Sequence, residues 1–555
     1  MDLDFKDRTF SFIKLRKKRL RRRILFVSLL VIFSLIFLFY KDLSTYKQLR
    51  KSENLLFDGQ IVESLGLLNK IGSPFFRRSS YNELKGVLKL IRGDIKSGEE
   101  LLSESVPGHS SIRSKKVLTF LSDNCFYKAL DIYSSLLPQE NDYVKFYRIV
   151  SGTSLFRAKE SNRRVEEFNP SNPEKYSDYI KTIKDINNKM LNGNIDFIFD
   201  RDGEPLASYN INYGESISLT PGLYFHDFDS DLTNGLKFVK LSIDKDIQIK
   251  IHTLFKKYHG SFILTDLEDG SIIASYSKPF DKNKENTALT EKYEPGSVIK
   301  LLTLFAFMNS SEKTIFPFNC TGHTVYEGKV FYDWSRHDKL PSFVQALSRS
   351  CNIVFAKMGI LTGDKGMSGV LNNFMFNKKN TTNGKFDFNF GNFSTSQKSK
   401  RDLANLSIGL EHISITTIHA AIISSLIAQN GDIIFPFMVM SKKNIFNMGY
   451  FNHKSEYTKV YLNNRYFEDI KTGMHAVTTD PKGTGRRAKV DFMEIGIKTG
   501  TSGKKKLGFD SVITGFFPFE KPRYSFAFRL ERGGKAEYNG ALFLHDFIKS
   551  FYGRE

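Results

Sequence analysis

The chain of 555 residues is poor in the residues that build several common protein classes. It holds three cysteines, which excludes a disulfide-built scaffold. It holds one tryptophan and 15 prolines, with no proline-rich tract, so extended linkers and collagen-like repeats are excluded too. No H-E-x-x-H, no C-x-x-C and no phosphate-cradling glycine loop occurs, so neither a zinc hydrolase nor a nucleotide-binding domain is expected. Acidic residues are outnumbered, with 60 Asp and Glu against 81 Lys and Arg, a net charge of +21. Long apolar runs are scarce as well: one run alone is long enough to matter for a membrane, which excludes a multi-span protein.

That run, Ile24 to Tyr40, carries no charge and ends in Phe37, Phe39 and Tyr40. Seventeen residues rise about 26 Å as a helix, the short end of a single span. Residues 1–23 precede it with ten Lys and Arg against three Asp, a net charge of +7. A basic flank stays cytoplasmic, so the reading is a cytoplasmic tail (1–23), an uncleaved anchor (24–40) and an extracytoplasmic, periplasmic remainder. A cleaved signal peptide would have a shorter core followed by small residues, whereas Lys41 follows Leu38-Phe39-Tyr40. The anchor accounts for the basic run, and no nucleic-acid partner is expected.

Residues 41–165 show a weak period. Gly59 and Gly93, Ile61 and Ile95, Leu67 and Leu101, and Leu68 and Leu102 are each 34 apart. This is the tetratricopeptide period, in which helix pairs stack and offer a groove to a protein partner, and an all-α TPR-like region is expected here. An unrelated helical bundle is the alternative. Residues 166–235 read as a polar linker followed by a small β-containing pedestal. From residue 236 strand and helix patterns alternate: strand 238–243, amphipathic helix 244–258, a hairpin over 260–276, then helices, then strands near 490–499 and 510–530. The expected fold class is α+β, a mixed, mostly antiparallel sheet packed by helices over 236–555.

Three short motifs carry chemistry. In Glu294-Pro295-Gly296-Ser297-Val298-Ile299-Lys300, Pro-Gly breaks structure and the apolar run 298–308 resumes it as a helix. Ser297 and Lys300 therefore share one face of a first helical turn. Serine is a poor nucleophile until a base takes its proton, and a buried, neutral lysine is such a base. Ser350-Cys351-Asn352 precedes a second apolar helix and offers a hydroxyl to relay a proton and an amide to hold a substrate. Lys498-Thr499-Gly500-Thr501 ends a strand-like segment, where glycine lets a substrate backbone come close. Lys498 is the expected second cation that lowers the pKa of Lys300. Fifty-three residues separate Ser297 from Ser350 and 146 separate Asn352 from Lys498. Each motif alone reads as structure; the ordered set points to acyl transfer through serine.

With these motifs the sequence resembles the penicillin-binding proteins, in particular the monofunctional, single-anchor (class B-like) D,D-transpeptidases. The flanks match too: Trp334 and His337 before the second motif, Ser407-Ile408-Gly409, Ala428-Gln429-Asn430-Gly431, and Gly483-Thr484-Gly485 before the third. The resemblance implies that Ser297 attacks a D-Ala-D-Ala stem peptide and that Lys300 accepts its proton. It implies that Ser350 and Asn352 serve proton transfer and donor binding. Lys498 and Thr501 would bind the terminal carboxylate, Thr499 and Gly500 would count with Thr501 among the substrate-binding residues, and N–H groups of Ser297 and Thr501 would form the oxyanion hole. Peptidoglycan synthesis and β-lactam binding are implied, without cofactor or metal. The same serine chemistry can end in water, as in a D,D-carboxypeptidase or β-lactamase, and a catalytically silent scaffold is the third alternative. His412 and His419, seven apart on a helical stretch, read as packing rather than metal ligands. Cys320 and Cys351 could pair, leaving Cys125 over, and Lys504-Lys505-Lys506 reads as a solvated loop.

Overall fold

The computed structural model describes residues 3–553 except 72–73, 75–76, 106–111, 125, 156, 193, 211–214, 224–235, 282–283, 285, 311–314, 379–387, 395–398, 447–448, 453–456, 460–464 and 505–507. Cys125, Lys505 and Lys506 lie outside the described residues. The chain divides into two compact units, Met1–Leu191 with Asn234–Leu236, and Asn192–Thr233 with Lys237–Glu555.

The first unit is helical throughout its described elements: α1 (Leu3–Phe57), α2 (Ile61–Ile71), α3 (Arg78–Ile91), α4 (Ile95–Ser103), α5 (Ile112–Asp123), α6 (Tyr127–Leu136), α7 (Asp142–Ser154), α8 (Ala158–Glu167) and α9 (Ser177–Leu191). The apolar run lies inside α1, exposed from Leu25 to Tyr40, in the one described helix long and apolar enough to cross a membrane. Beyond it the helices turn back on each other as hairpins. In the first two, small residues twelve apart meet where the helices cross. Ser52 and Ser64 hydroxyls lie 2.9 Å apart, and 34 positions on, a Cβ at Gly86 or Gly98 would lie under 3 Å from Leu102 or Leu90. The second helices of the four hairpins begin at Ile61, Ile95, Tyr127 and Ala158, so the spacing shortens from 34 to 32 and then 31. Between α3, α5 and α6 a buried polar group is satisfied internally: Tyr133 donates to Glu83 (2.6 Å) and Arg113 pairs with Glu83 and Glu53.

The second unit contains two larger sheets where the strand pattern alone pointed to one. The mixed six-stranded sheet holds β1 (Asn194–Phe199), β2 (Pro205–Asn210), β3 (Glu215–Ser218) and β4 (Phe238–Leu241), together with two strands from far along the chain. After β4 come α10 (Lys245–Leu254), capped by the Asp244 carboxylate on the Ile247 N–H, then β5 (His259–Asp266) and β6 (Ile272–Lys278). Among the helices that follow are α11 (Lys300–Asn309), α12 (Phe343–Ser348), α13 (Asn352–Asn373) and α14 (Thr417–Ala428). Then β7 (Val439–Lys443) and β8 (Gly449–Asn452) return to the six-stranded sheet, β7 pairing antiparallel with β4, while β1 pairs parallel with β4. The chain closes with α15 (Arg465–Thr479), β9 (Gly496–Lys504), β10 (Gly508–Phe517), β11 (Tyr524–Glu531) and α16 (Ala541–Phe551).

The five-stranded sheet runs β9-β10-β11-β5-β6, antiparallel at every pairing. One face packs on α10 and α16 through an aromatic core in which Phe262 stacks on Phe528 and meets Phe547 at 4.6 Å between ring centres. The other face carries α14, every residue of which is buried. Its hydroxyls match those of the sheet: Ser424 bonds Thr514, and Ser425 lies 2.7 Å from Ser525. A helix apolar all round is thus a core element here, as burial on all sides requires. β9 lies at the sheet edge and brings the third motif to the start of α11.

Candidate active site

The segment before α11 forms one 3₁₀ turn, Gly296–Ile299, and α11 begins at Lys300. Ser297 and Lys300 thus stand at the head of a buried apolar helix, as the Pro-Gly break followed by an apolar run predicts. This turn is threaded between two other stretches of backbone. The Gly296 N–H donates to the Gly409 carbonyl (3.0 Å), and a Cβ on Gly409, which has φ +80°, would lie 1.9 Å from the Gly296 carbonyl oxygen. On the strand side a Cβ on Gly500 would lie 2.7 Å from the Pro295 carbonyl oxygen. Glycine at 409 and 500 is what lets three main chains meet at the nucleophile.

The three motifs come together in one cleft, lined by Ser297, Ser350, Asn352, Thr499 and Thr501. Lys300 is fully buried, and its Nζ donates to the Ser350 carbonyl (2.7 Å), the Ser350 hydroxyl (3.2 Å) and Asn352 Oδ1 (2.7 Å). Lys498 is equally buried, with Nζ 3.1 Å from the same Ser350 hydroxyl and 2.6 Å from the Thr499 carbonyl. Strand alternation explains the division of labour on β9. Thr499 and Thr501 face the cleft, while Lys498 shares the face of Gly500, which packs against the turn at Pro295–Val298.

Burial lowers the pKa of Lys300 to about 8, against the opposing pull of Asp333 and Cys351. Burial and then the charge of Lys300 push Lys498 well below the usual lysine range. The sequence predicts Lys498 as a second cation beside Lys300, and the two amines do meet at the Ser350 hydroxyl, with burial the larger cause of the lowering in each. Removing a charged amine from water is costly without a paired anion, so each lysine gives up its proton more readily.

Ser350 has φ +56°, a left-handed conformation that costs a non-glycine residue about 1 kcal/mol or more. Its carbonyl turns toward two donors, Lys300 Nζ and Trp334 Nε1 (3.2 Å). Motifs two and three are also tied behind the cleft. Thr484 shares a 2.6 Å hydrogen bond with the Thr499 hydroxyl, and its N–H donates to the Ser348 carbonyl (3.0 Å). Asp480 accepts from the Ser348 hydroxyl (2.9 Å) and from Arg349 Nε (3.1 Å).

Three groups escaped sequence reasoning. Asp333, one residue before Trp334, lies under the second motif. Burial works against its charge, yet the His337 ring 3.5 Å away, Lys300 and the Cys351 thiol hold its carboxyl at about 2. Cys351 donates to Asp333 at 3.0 Å and Cys320 at 3.5 Å. Both cysteines are buried and unpaired, so the disulfide considered between them is absent. These donor atoms lie within 4.8 Å of one another and are the set among the described residues that could hold a soft divalent cation, a site that no spacing motif signalled. Asp480 and the Lys535–Glu537 segment are the second and third, and no motif marks either. His419 packs as expected: its Nδ1 accepts from the Gly391 N–H, its Nε2 donates to the Phe374 carbonyl, and burial lowers its pKa to about 4.

The penicillin binding protein transpeptidase domain model matches residues 260–543, just over half of the chain. Among curated relatives, the chain is 22% identical to the peptidoglycan D,D-transpeptidase FtsI of Buchnera aphidicola, over 97% of this chain and 96% of that one. It is 23% identical to stage V sporulation protein D of Bacillus subtilis over 49% of this chain, a match spanning 45% of that relative's length. The D,D-transpeptidase domain of a peptidoglycan glycosyltransferase from Eggerthella lenta superposes with a TM-score of 0.58 at 21% identity, over 65% of this chain and 98% of that one. Ser297, Ser350 and Asn352 line one cleft, with Lys300 and Lys498 buried behind them on the Ser350 hydroxyl. This arrangement and the match over 260–543 agree, and the chain belongs to the penicillin-binding protein transpeptidase family.

Proposed function

We propose that this protein is a membrane-anchored D,D-transpeptidase that cross-links peptidoglycan stem peptides through an acyl-serine and is inhibited by β-lactams. One observation carries the reading: two buried lysines converge on the Ser350 hydroxyl in the cleft that Ser297 lines. Ser297 Oγ attacks the carbonyl carbon of the penultimate D-Ala, and its proton passes to neutral Lys300. Ser350 and Asn352, with Lys498 behind them, relay a proton to the nitrogen of the leaving D-Ala as the peptide bond breaks. The N–H groups of Ser297 and Thr501 receive the oxyanion, a contribution of about 10²–10³ in rate per donor. Thr501 and Lys498 hold the donor's terminal carboxylate, with Thr499 lining the cleft beside them and Gly500 among the substrate-binding positions. An amine of a neighbouring strand then displaces Ser297, forming the cross-link.

The exposed apolar stretch of α1 is the anchor, with the basic tail cytoplasmic and the cleft on the outer, periplasmic side. The hairpins after it are read as a TPR-like repeat region that receives a protein partner. The residue divisions at 23, 40, 165 and 235 belong to the same reading.

The test is turnover. The purified protein is given a stem pentapeptide ending in D-Ala-D-Ala and an amine acceptor. Release of D-Ala with a matching amide product supports the reading. Release of D-Ala with hydrolysed donor alone would make it a carboxypeptidase.

A further inference from the structure

The charged residues that line the cleft are Lys535 and Glu537. Lys300 and Lys498 are buried behind Ser350, and the second substrate that the cleft must admit is itself a cation, because a primary amine with pKa of about 10 arrives as ammonium. Among the described residues lining the cleft, Glu537 is the one carboxylate. Its side chain is 21% exposed, and its one ion pair among the described residues is to Lys535 at a loose 3.7 Å, from a lysine that is itself 57% exposed. Glu537 thus keeps its charge available to the cleft.

The segment that carries it is held firmly. The neighbouring Ala536 is buried, and its N–H donates to Thr501 Oγ1 at 3.1 Å. The Gly534 N–H donates to the Phe509 carbonyl (2.9 Å), and Asn539 Nδ2 donates to the Gly533 carbonyl (2.6 Å). Glu537 is therefore fixed one residue from the group that holds Thr501, on the strand that supplies the oxyanion N–H.

We propose that Glu537 receives the ammonium group of the acceptor strand and so favours an amine over water as the second substrate. The inference rests on the acyl-serine reading above. In the step it serves, the ammonium held by Glu537 loses one proton to neutral Lys300 and its nitrogen attacks the ester carbonyl. The C–N bond forms and the bond from that carbon to Ser297 Oγ breaks. One proton returns to Ser297 Oγ and the other leaves to solvent. Glu537 acts as an electrostatic seat and exchanges no proton.

The experiment compares the two half-reactions in wild type, E537Q and E537D. Acylation is read as the rate of labelling by a fluorescent penicillin. Acceptor use is read as the ratio of transfer to hydrolysis, with a synthetic stem peptide bearing a free side-chain amine as acceptor. For E537Q the KM for the acceptor should rise about tenfold with kcat little changed, the pattern of a lost binding contact. Any change in labelling should be much smaller than that. E537D should recover most of the loss. Added salt should raise the acceptor KM of wild type and leave that of E537Q nearly flat, since screening acts on the charge pair. An unchanged acceptor KM in E537Q, or labelling that falls as steeply as transfer, would overturn the assignment. Absence of labelling in wild type would instead overturn the acyl-serine reading, and this inference with it.

Discussion

Lys300 and Lys498 point their ammonium nitrogens at the same oxygen, lying 3.2 and 3.1 Å from the Ser350 hydroxyl. Two cations so close and so buried cannot both hold their protons comfortably near neutral pH. Lys300, with its pKa at about 8, is the group whose ionisation should govern acylation. Its neutral form is the base. The acylation rate should therefore rise with pH, by about tenfold per unit well below 8, and level off above it. Stopped-flow labelling from pH 6 to 10 checks this. A rate that falls through that range would remove Lys300 from the role of base.

Asp480 is a positioning residue two steps from the chemistry. It holds Ser348 and Arg349, which precede the strained Ser350. Asp480→Ala should slow acylation about tenfold or more, since small misplacements of a catalytic group are costly. The reversible affinity for the β-lactam should change much less. A separate fit of binding and acylation rates decides, and an equal loss in both would contradict the positioning role.

Gly409 faces the main chain before the nucleophile. Gly409→Ala would put a methyl group 1.9 Å from the Gly296 carbonyl and force an L side chain to adopt φ +80°. The variant should lose about 3 kcal/mol of stability and most of its acylation. Urea unfolding and penicillin labelling measure the two. Wild-type values in both would refute the close approach.

Trp334 is the only tryptophan, lines the cleft, and is 48% exposed. Its emission should shift to the blue when a β-lactam covers it. Trp334→Phe, which removes the donor to the Ser350 carbonyl, should slow acylation by about 0.5–1.5 kcal/mol of lost hydrogen bonding, roughly twofold to tenfold. Emission that does not respond to acylation would place the indole outside the occupied cleft.

The start of α11 was legible because Pro-Gly followed by an apolar run is a local signal. So was the hairpin of β5 and β6, whose turn residues adjoin two apolar strands. The second sheet was not legible, because β4 pairs with β7 some 200 residues later and nothing local in either strand names its partner. Asp333 was hidden for a similar reason. A single carboxylate in an irregular stretch gives no period, and its importance arises from what folds over it: Lys300, Cys351 and His337. Burial of Lys300 was legible from its place at the head of an apolar helix, whereas the meeting of both lysines at the Ser350 hydroxyl is seen only in the fold. The left-handed conformation of Ser350, whose carbonyl meets two donors, is likewise not signalled by its residue type.

The most direct test of the central claim is intact and peptide mass spectrometry after incubation with benzylpenicillin. The account predicts a gain of one penicillin mass, on the peptide that contains Ser297, abolished in Ser297→Ala. No adduct on the folded wild-type protein, or an adduct that persists in Ser297→Ala, would contradict it.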